Sequence, residues 1–151
     1  MTNALAAPAT GFVLEQVSTL RQRCEAVDSG SVELPAEDNA DFGWDWRWLD
    51  EDKFEVALTL ELKATVARPE VVAVTLVGRF AVQGKPDKVA PTQFAYGHAP
   101  AILFPFVRQV VSGLTTMSPF GPYLLPPVNV AEIMKRFDPT RASAAAQKQT
   151  A

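Results

Sequence analysis

The sequence is poorest in the residues that most chemistry needs. A single cysteine, Cys24, excludes an internal disulfide framework and suits a reducing compartment. Cys24 has no histidine beside it and no second cysteine, so it reads as a buried thiol. One histidine, His98, cannot complete a typical zinc site with it. Next to Gly97 and Pro100, His98 reads as a loop or helix-cap residue rather than a catalytic base. The acids lack the spacing of a calcium loop, and no GxGxxG, Walker or GxSxG pattern occurs. No catalytic residue, metal or cofactor is expected. No stretch approaches the roughly 18 uninterrupted apolar residues of a membrane-spanning helix. The opening MTNALAAPATG has no basic segment followed by an apolar run, so it does not read as a signal peptide. A net charge of -3 and a pI of about 5.1 leave no basic footprint for nucleic acid. Together these absences point to a cytoplasmic protein without enzymatic activity, with no nucleic-acid partner and no direct membrane insertion.

What is present is apolar material. With 151 residues, 48% of them hydrophobic and 21% charged, the chain suits one domain with one core. Residues 1–11 and the tail from Asp138 are small, polar and aperiodic, so both are expected to be flexible around a domain spanning 12–137. No internal repeat is visible. From Phe12 to Val27 the periodicity is ambiguous. Leu14, Val17, Cys24 and Val27 fit a helix loosely, while the β-branched and large residues allow a long strand.

Residues 33–52 hold eight acids, Glu33, Glu37, Asp38, Asp41, Asp45, Asp50, Glu51 and Asp52, against one base, Arg47. Such a run usually forms a solvated face. Within it Phe42, Trp44, Trp46 and Trp48 alternate with Gly43, Asp45 and Arg47. On a strand, every second side chain points the same way, so all three tryptophans would line one side. Four such aromatics carry about 600–1,000 Å² of apolar surface, more than the ~300–600 Å² patch a monomer commonly exposes. The stripe therefore has to be core, a subunit seam or a groove for something else. Phe54, Val56, Leu58, Leu60, Leu62, Ala64 and Val66 alternate next, then Val72, Val74, Leu76, Phe80 and Val82. Arg68-Pro69-Glu70 reads as the turn between them, and Gly78 interrupts the second row, which suggests a bulge or a close backbone approach. Short connections point to an antiparallel meander.

The period then changes. Pro100 can open a helix, and Ile102, Leu103, Phe106, Val107, Val110, Val111, Leu114 and Met117 recur at helical spacing. Pro105 is tolerable in a first turn, which would start the regular helix near Phe104. The apolar positions cover about half the circumference, wider than the ~100° stripe of an ordinary surface helix. One sheet cannot cover that much, so a partner subunit is expected over the second face, with Phe106, Arg108, Val110, Val111 and Leu114 at the seam. The stretch Ser118–Pro127 must be irregular, and its Phe120, Tyr123 and Leu124 are apolar loop residues that need a reason. Asn129 reads as the N-cap of a short final helix with Val130, Ile133, Met134 and Phe137 on one face. That face is either satellite core or a wall suited to varied partners.

Two segments carry a resemblance. Pro100-Ala101-Ile102-Leu103-Phe104-Pro105-Phe106-Val107-Arg108 resembles the P-x-I-L-F-P-Y-x-R segment of the SecB export chaperones. Phe120 with Leu125, Pro127, Val128 and Asn129 resembles that family's F-P-x-L-x-L-x-P-V-N-F segment. The resemblance implies an α+β fold: a four-stranded antiparallel sheet with one long and one short C-terminal helix, assembled as a homotetramer from two dimers. It tilts Phe12–Val27 towards strand. It also implies a chaperone that holds unfolded preproteins in apolar surface grooves without ATP and hands them to the SecA motor for export. Phe42, Trp44, Trp46, Trp48, Phe120, Tyr123, Leu124, Val130, Ile133, Met134 and Phe137 are then the candidate client-binding residues. The family meets SecA through acids on its sheet. At the matching positions Glu25 is retained, whereas Arg21 reverses the charge and Ala73 removes it, so transfer to SecA follows less directly than holding. Two alternatives stand beside this: a relative dedicated to one client, such as the antitoxin of a toxin–antitoxin pair, and a small-ligand-binding α+β domain using the aromatic stripe as its pocket.

Overall fold

Alternation decides the sheet. Phe54, Val56, Leu58, Leu60 and Leu62 are all buried, while the residues between them remain partly or fully exposed. This is the period of a strand with one face on a core. In the computed structural model, which describes residues 11–32, 40–84, 94, 95 and 97–135, they form β3 (Lys53–Leu62). It lies in one sheet with β1 (Phe12–Ala26), β2 (Ala40–Trp48) and β4 (Glu70–Val82). The expectations for residues 1–10, for Glu33, Glu37 and Asp38, for Phe137 and for the tail from Asp138 lie outside the described residues.

The strand order is β1-β4-β3-β2 and every pairing is antiparallel. The meander expected from short connections holds for β2, β3 and β4. β1 returns to pair with β4 instead of β2, which makes the arrangement a Greek key. β1 also resolves the ambiguous segment. Its register slips between Leu14 and Gln16, and again between Thr19 and Arg21. Each bulge adds one residue, so the side chains aligned with the inner row of β4 are Leu14, Val17, Thr19, Gln22 and Cys24. The three-residue steps imitate a helical pattern in what is a strand.

One helix, α1 (Ala99–Thr115), packs across β4, β3 and β1. A second, α2 (Val130–Met134), follows an irregular stretch and packs on α1. Leu103, Val107, Val111 and Thr115, spaced by four, form the fully buried row of α1. Pro100 sits in its first turn, as expected, but the helix does not restart near Phe104. Pro105 lies inside it. The carbonyl that proline leaves without a partner belongs to Ala101, an exposed residue, so water can satisfy it.

Gly78 fixes the seat of α1. A Cβ built there would lie 2.7 Å from Leu103 Cδ2 and 3.1 Å from Phe80 Cε2. Both side chains are fully buried and cannot swing away. The interruption of the inner row is thus a close approach of the helix to the sheet. Gly78→Val should destabilise by about 1–3 kcal/mol through overpacking. Thermal unfolding monitored by circular dichroism checks this; an unchanged midpoint would mean that Leu103 does not seat on Gly78.

Candidate functional site

The aromatic stripe of β2 is on the side of the sheet that α1 covers. Phe42, Trp44, Trp46 and Trp48 stand opposite Leu60, Leu58, Val56 and Phe54, whose side chains are core. Width explains why the stripe is nevertheless incompletely covered. Four strands about 4.8 Å apart are wider than one helix about 10 Å across. α1 sits over β4, β3 and β1, so β2 is left at the margin. Its aromatic contact with α1 is Phe42 to Phe104, with ring centroids 6.3 Å apart. Further along, Trp46 and Trp48 lean edge-on against the buried Phe54, at 5.9 and 5.4 Å. Phe42, Trp44 and Trp46 are half-buried, and Trp48 is 46% exposed. Leu49 continues this apolar margin into the turn. β2 is also an edge strand, so its outer backbone groups are open to pairing. The Trp46 N–H is held by the Asp45 carboxylate at 2.8 Å.

The second candidate group lies on the stretch between α1 and α2. Its backbone is fastened at three places. Arg68 donates to the carbonyl of Phe120 at 3.4 Å and also to that of Gly121. Thr115 Oγ1 accepts the Tyr123 N–H at 2.8 Å and donates to the Val111 carbonyl at 2.7 Å. Arg108 Nε donates to the Leu125 carbonyl at 3.0 Å. Gly121, at a φ of 80°, makes the turn that these fastenings require. Leu125 is buried and Tyr123 half-buried beneath the Arg68 guanidinium, 5.2 Å from its ring. Phe120 and Leu124 face water, Leu124 at 75% exposure. The main chain is held and the apolar side chains are presented.

Behind Arg68 stands Glu70, 3% exposed. Its Oε2 accepts from Arg68 Nε at 2.9 Å, and its Oε1 accepts from Ser118 Oγ at 2.6 Å and from Cys24 Sγ at 3.0 Å. Burial by itself would raise the carboxyl's pKa. The hydrogen bonds from Ser118, Cys24 and Arg68, with the Arg68 charge, outweigh it and hold the pKa below the ordinary carboxylate value. The same closeness acts oppositely on Cys24, whose thiol is pushed up to about 11 by burial and then by Glu70. Cys24 is only half-buried, yet it stays protonated and poorly nucleophilic at neutral pH.

The sequence therefore marked two groups that the fold holds apart. Trp48 pairs with Phe54 at one end of β2, whereas the Arg68–Glu70 corner lies beyond the pairing of Leu62 with Val72, at the opposite end of the sheet. The eight residue steps along β2 from Trp48 to Ala40 span about 26 Å at the usual rise. Val130 and Ile133 are half-buried. Met134 is buried, so it belongs to the subunit's core and not to a client-facing wall as it stands. Asn129 caps α2, accepting the Glu132 N–H at 3.3 Å. His98 is the N-cap residue of α1 and stacks on Phe94 at 5.7 Å.

The expected seam residues also divide. Phe106 is exposed and Val110 and Leu114 are half-buried, along an open groove shared with Val17 and Leu76. Val111 belongs to the neighbouring, fully buried row and faces the sheet, so it is no seam residue. Arg108 is occupied within its own chain by the Leu125 carbonyl. Of the acid positions, Glu25 is exposed and paired with Arg23 at 2.7 Å, Arg21 is exposed, and Ala73 is buried between its pairing partners Arg23 and Glu61.

Three exposed apolar residues depart from the sequence reading: Met117, at 92%, and Val66 were expected on the apolar faces of α1 and β3, and Leu20 was not singled out. β3 ends at Leu62, so Val66 lies beyond the strand and leaves its inward row. Met117 follows the end of α1 at Thr115 and so leaves the helical face to which its spacing assigned it. Leu20 is the extra residue of a bulge. Glu70 and Arg68 were missed as well, although a signal existed. Glu70 is in phase with Val72, Val74 and Leu76, and a carboxylate on an inward row needs partners. Among the described residues, no group of three or more histidines, cysteines or carboxylates could hold a metal, and no helix is long and apolar enough to cross a membrane.

The family model described as preprotein translocase subunit SecB matches residues 31–138. The protein-export protein SecB of Zymomonas mobilis is 37% identical over 86 residues, covering 55% of this chain and 51% of the relative. That of Brucella anthropi is 33% identical over 91 residues, covering 58% and 55%. The chain thus matches about half the length of these curated relatives. Among solved structures, a SecB-like chaperone of Mycobacterium tuberculosis, in complex with a peptide from an antitoxin, superposes with a TM-score of 0.54 at 15% identity. The match covers 80% of this chain and 93% of that one. A Streptococcus agalactiae protein of unknown function gives 0.50 at 14% identity, covering 78% and 97%. Both show the fold.

Two outcomes follow from the fastenings. Thr115→Val keeps the shape but leaves the Tyr123 N–H without its partner, at a cost of about 1–3 kcal/mol. Urea unfolding of both proteins measures it, and equal midpoints would remove Thr115 from the clamp. Glu70 is depressed in the folded state. Its contribution is therefore full above its unfolded value of about 4.3 and is lost as pH falls through the folded one. The stability gap between wild type and Glu70→Gln should stay constant between about pH 6 and 8 and shrink in acid. A gap that widens on acidification would reverse the assignment.

Proposed function

Because the chain belongs to the SecB family, we propose that it is an ATP-independent chaperone that holds unfolded polypeptide against exposed apolar side chains, without enzymatic activity. The family supports this through the model match over residues 31–138. The observation that carries it is the presentation of Phe120 and Leu124 on a fastened backbone, together with Trp48 and Leu49 at the open margin of the sheet. A rigid main chain that displays apolar groups suits a client which itself contributes no fold. Such a client can add its backbone to the free edge of β2 while its side chains meet the aromatic rings. Binding of one long client at two places towards opposite ends of the sheet multiplies two weak contacts through effective concentration.

The second face of α1 supports an assembly of several copies. Ile102 and Phe106 are exposed, and Val110 and Leu114 line a groove with Val17 and Leu76. A second copy is the natural cover, and the homotetramer of the family is the expected state. Export of preproteins in the cytoplasm, with transfer to SecA, is the expected setting. A narrower reading keeps the chaperone and dedicates it to one client. Its support is the structural neighbour bound to an antitoxin peptide, and the loss of acidic character at Arg21 and Ala73, which weakens an electrostatically guided docking on SecA.

The purified protein should suppress aggregation of a slow-folding client without nucleotide, and Trp48→Ala combined with Leu124→Ser should cut that protection several-fold while leaving the fold intact. Light scattering of the client at stoichiometric chaperone reads it directly. Undiminished aggregation with wild-type protein counts against the holding role. Protection of a single tight partner alone, found by pull-down, favours the dedicated reading.

A further inference from the structure

The corner where β4 begins contains a charged group that the apolar binding surface does not itself require. Glu70 is buried, and it gathers one partner from each of three segments: Cys24 of β1, Arg68 of the turn before β4, and Ser118 of the stretch after α1. Arg68 continues the chain of contacts to the Phe120 and Gly121 carbonyls and lies over the Tyr123 ring. Arg68 is held in turn by its own turn, its N–H donating to the Thr65 carbonyl at 3.1 Å. Ser118 Oγ, besides donating to Glu70, accepts the Phe120 N–H at 3.1 Å. One carboxylate thereby links the edge of the sheet to both ends of the Ser118–Gly121 turn.

Building on the chaperone reading above, we propose that Glu70, with Arg68 and Ser118, is a latch that positions the Phe120–Leu124 segment for its client. These are positioning residues: they act on the main chain from behind, and the client meets the side chains in front. The geometry favours this over a general structural role. A carboxylate placed on an inward row must lose its hydration, and that loss is offset only when every partner is present. Detaching the segment withdraws Ser118 from Glu70 and two carbonyls from Arg68 together, so the segment leaves as a unit or stays. Holding the segment preselects one arrangement of Phe120 and Leu124, which lowers the ordering cost of capture.

The test combines amide hydrogen exchange, read at the backbone of residues 118–125, with capture of a fluorescently labelled, permanently unfolded protein made by reduction and carboxymethylation. In Ser118→Ala and Glu70→Gln, the Gly121 and Tyr123 amides, which donate to the Ser118 carbonyl and to Thr115 Oγ1, should exchange about tenfold faster while those of β3 keep their wild-type rates. Capture of the unfolded probe should weaken about threefold to tenfold over the same variants, as an ordering cost of that size implies. Ser118→Thr retains the hydroxyl and should restore both readouts. Unchanged exchange in folded variants overturns the latch. Faster exchange with undiminished capture overturns its role in positioning. If Glu70→Gln fails to fold, Ser118→Ala decides the same question. If wild-type protein captures nothing, the chaperone reading fails, while the exchange rates still decide the latch.

Discussion

The mismatch between one helix and a four-stranded sheet governs this structure. A helix about 10 Å wide cannot roof strands that are each about 4.8 Å from the next. α1 is also committed to the middle and the β1 side by Leu103 resting on Gly78. What remains uncovered is not accidental polar surface. The β2 side chains facing the roofed side are Phe42 and three tryptophans, aligned with the core row of β3. Such rings would be a liability in a finished monomer. The helix is in a similar position. Its buried row of Leu103, Val107 and Val111 satisfies the sheet, and of the adjacent row Phe106, Val110 and Leu114 are left along a groove while Ile102 is exposed. The shortage of cover thus appears twice, once at the sheet margin and once on the helix.

Polar groups make that surplus tolerable. An apolar loop side chain in water gains by turning inward, and it can do so when its backbone is free to follow. Around Phe120 and Leu124 the backbone is not free, because Arg68, Thr115 and Arg108 hold its carbonyls and an amide. Each neutral hydrogen bond contributes only about 0.5–1.5 kcal/mol, with the charged ones somewhat more. Burying Leu124 would gain a comparable amount, about 1.5–3 kcal/mol. Several fastenings together outweigh one buried leucine, so exposure is the stable arrangement. The buried Glu70 reinforces this, since it orients the arginine that carries two of the contacts.

Legibility followed periodicity. β2 and β3 keep an unbroken alternation, and their faces were readable, including the placement of all three tryptophans on one side. β4 is interrupted at Gly78, and the row expected to run on to Val66 stops with β3 at Leu62. β1 has the same inward row, but bulges at Glu15 and Leu20 shift it twice, so that Leu14 and Val17 stand three apart as on a helix. In α1 the apolar width was readable and its division was not. Val110 and Val111 are equally apolar and adjacent, and only the direction of the sheet makes one a groove residue and the other core. Met117 fails for the complementary reason. It lies beyond the end of α1, where the chain direction and not the spacing sets burial. The Arg68–Glu70 pair was read as a turn because a two-residue separation across a proline looks local. Its partners, Ser118 and Cys24, are distant in sequence: the sheet's Greek-key return brings Cys24 there, and the packing of α1 across the sheet brings Ser118.

The combination of rings at a margin and side chains on a fastened loop has a consequence for selectivity. Tryptophan and phenylalanine present large areas with few torsions to freeze, so each contact incurs little entropy cost. They also make no directional demand on a client, since their attraction scales with apolar area. Edge pairing along β2 is similarly indifferent to sequence, because every residue but proline offers the same backbone groups. In the proposed holding role, such a surface would discriminate by state: an extended chain with exposed apolar residues could reach both groups, and a folded one, whose edges and apolar residues are already engaged, could reach neither. The one sequence-dependent element is charge. The turn after Trp48 carries Asp50, Glu51 and Asp52 beside the open margin, so acidic segments meet repulsion there that neutral or basic ones do not. In that proposed role, foldedness would therefore be filtered by geometry, and among unfolded chains the remaining preference would be set at the acidic end of the stripe.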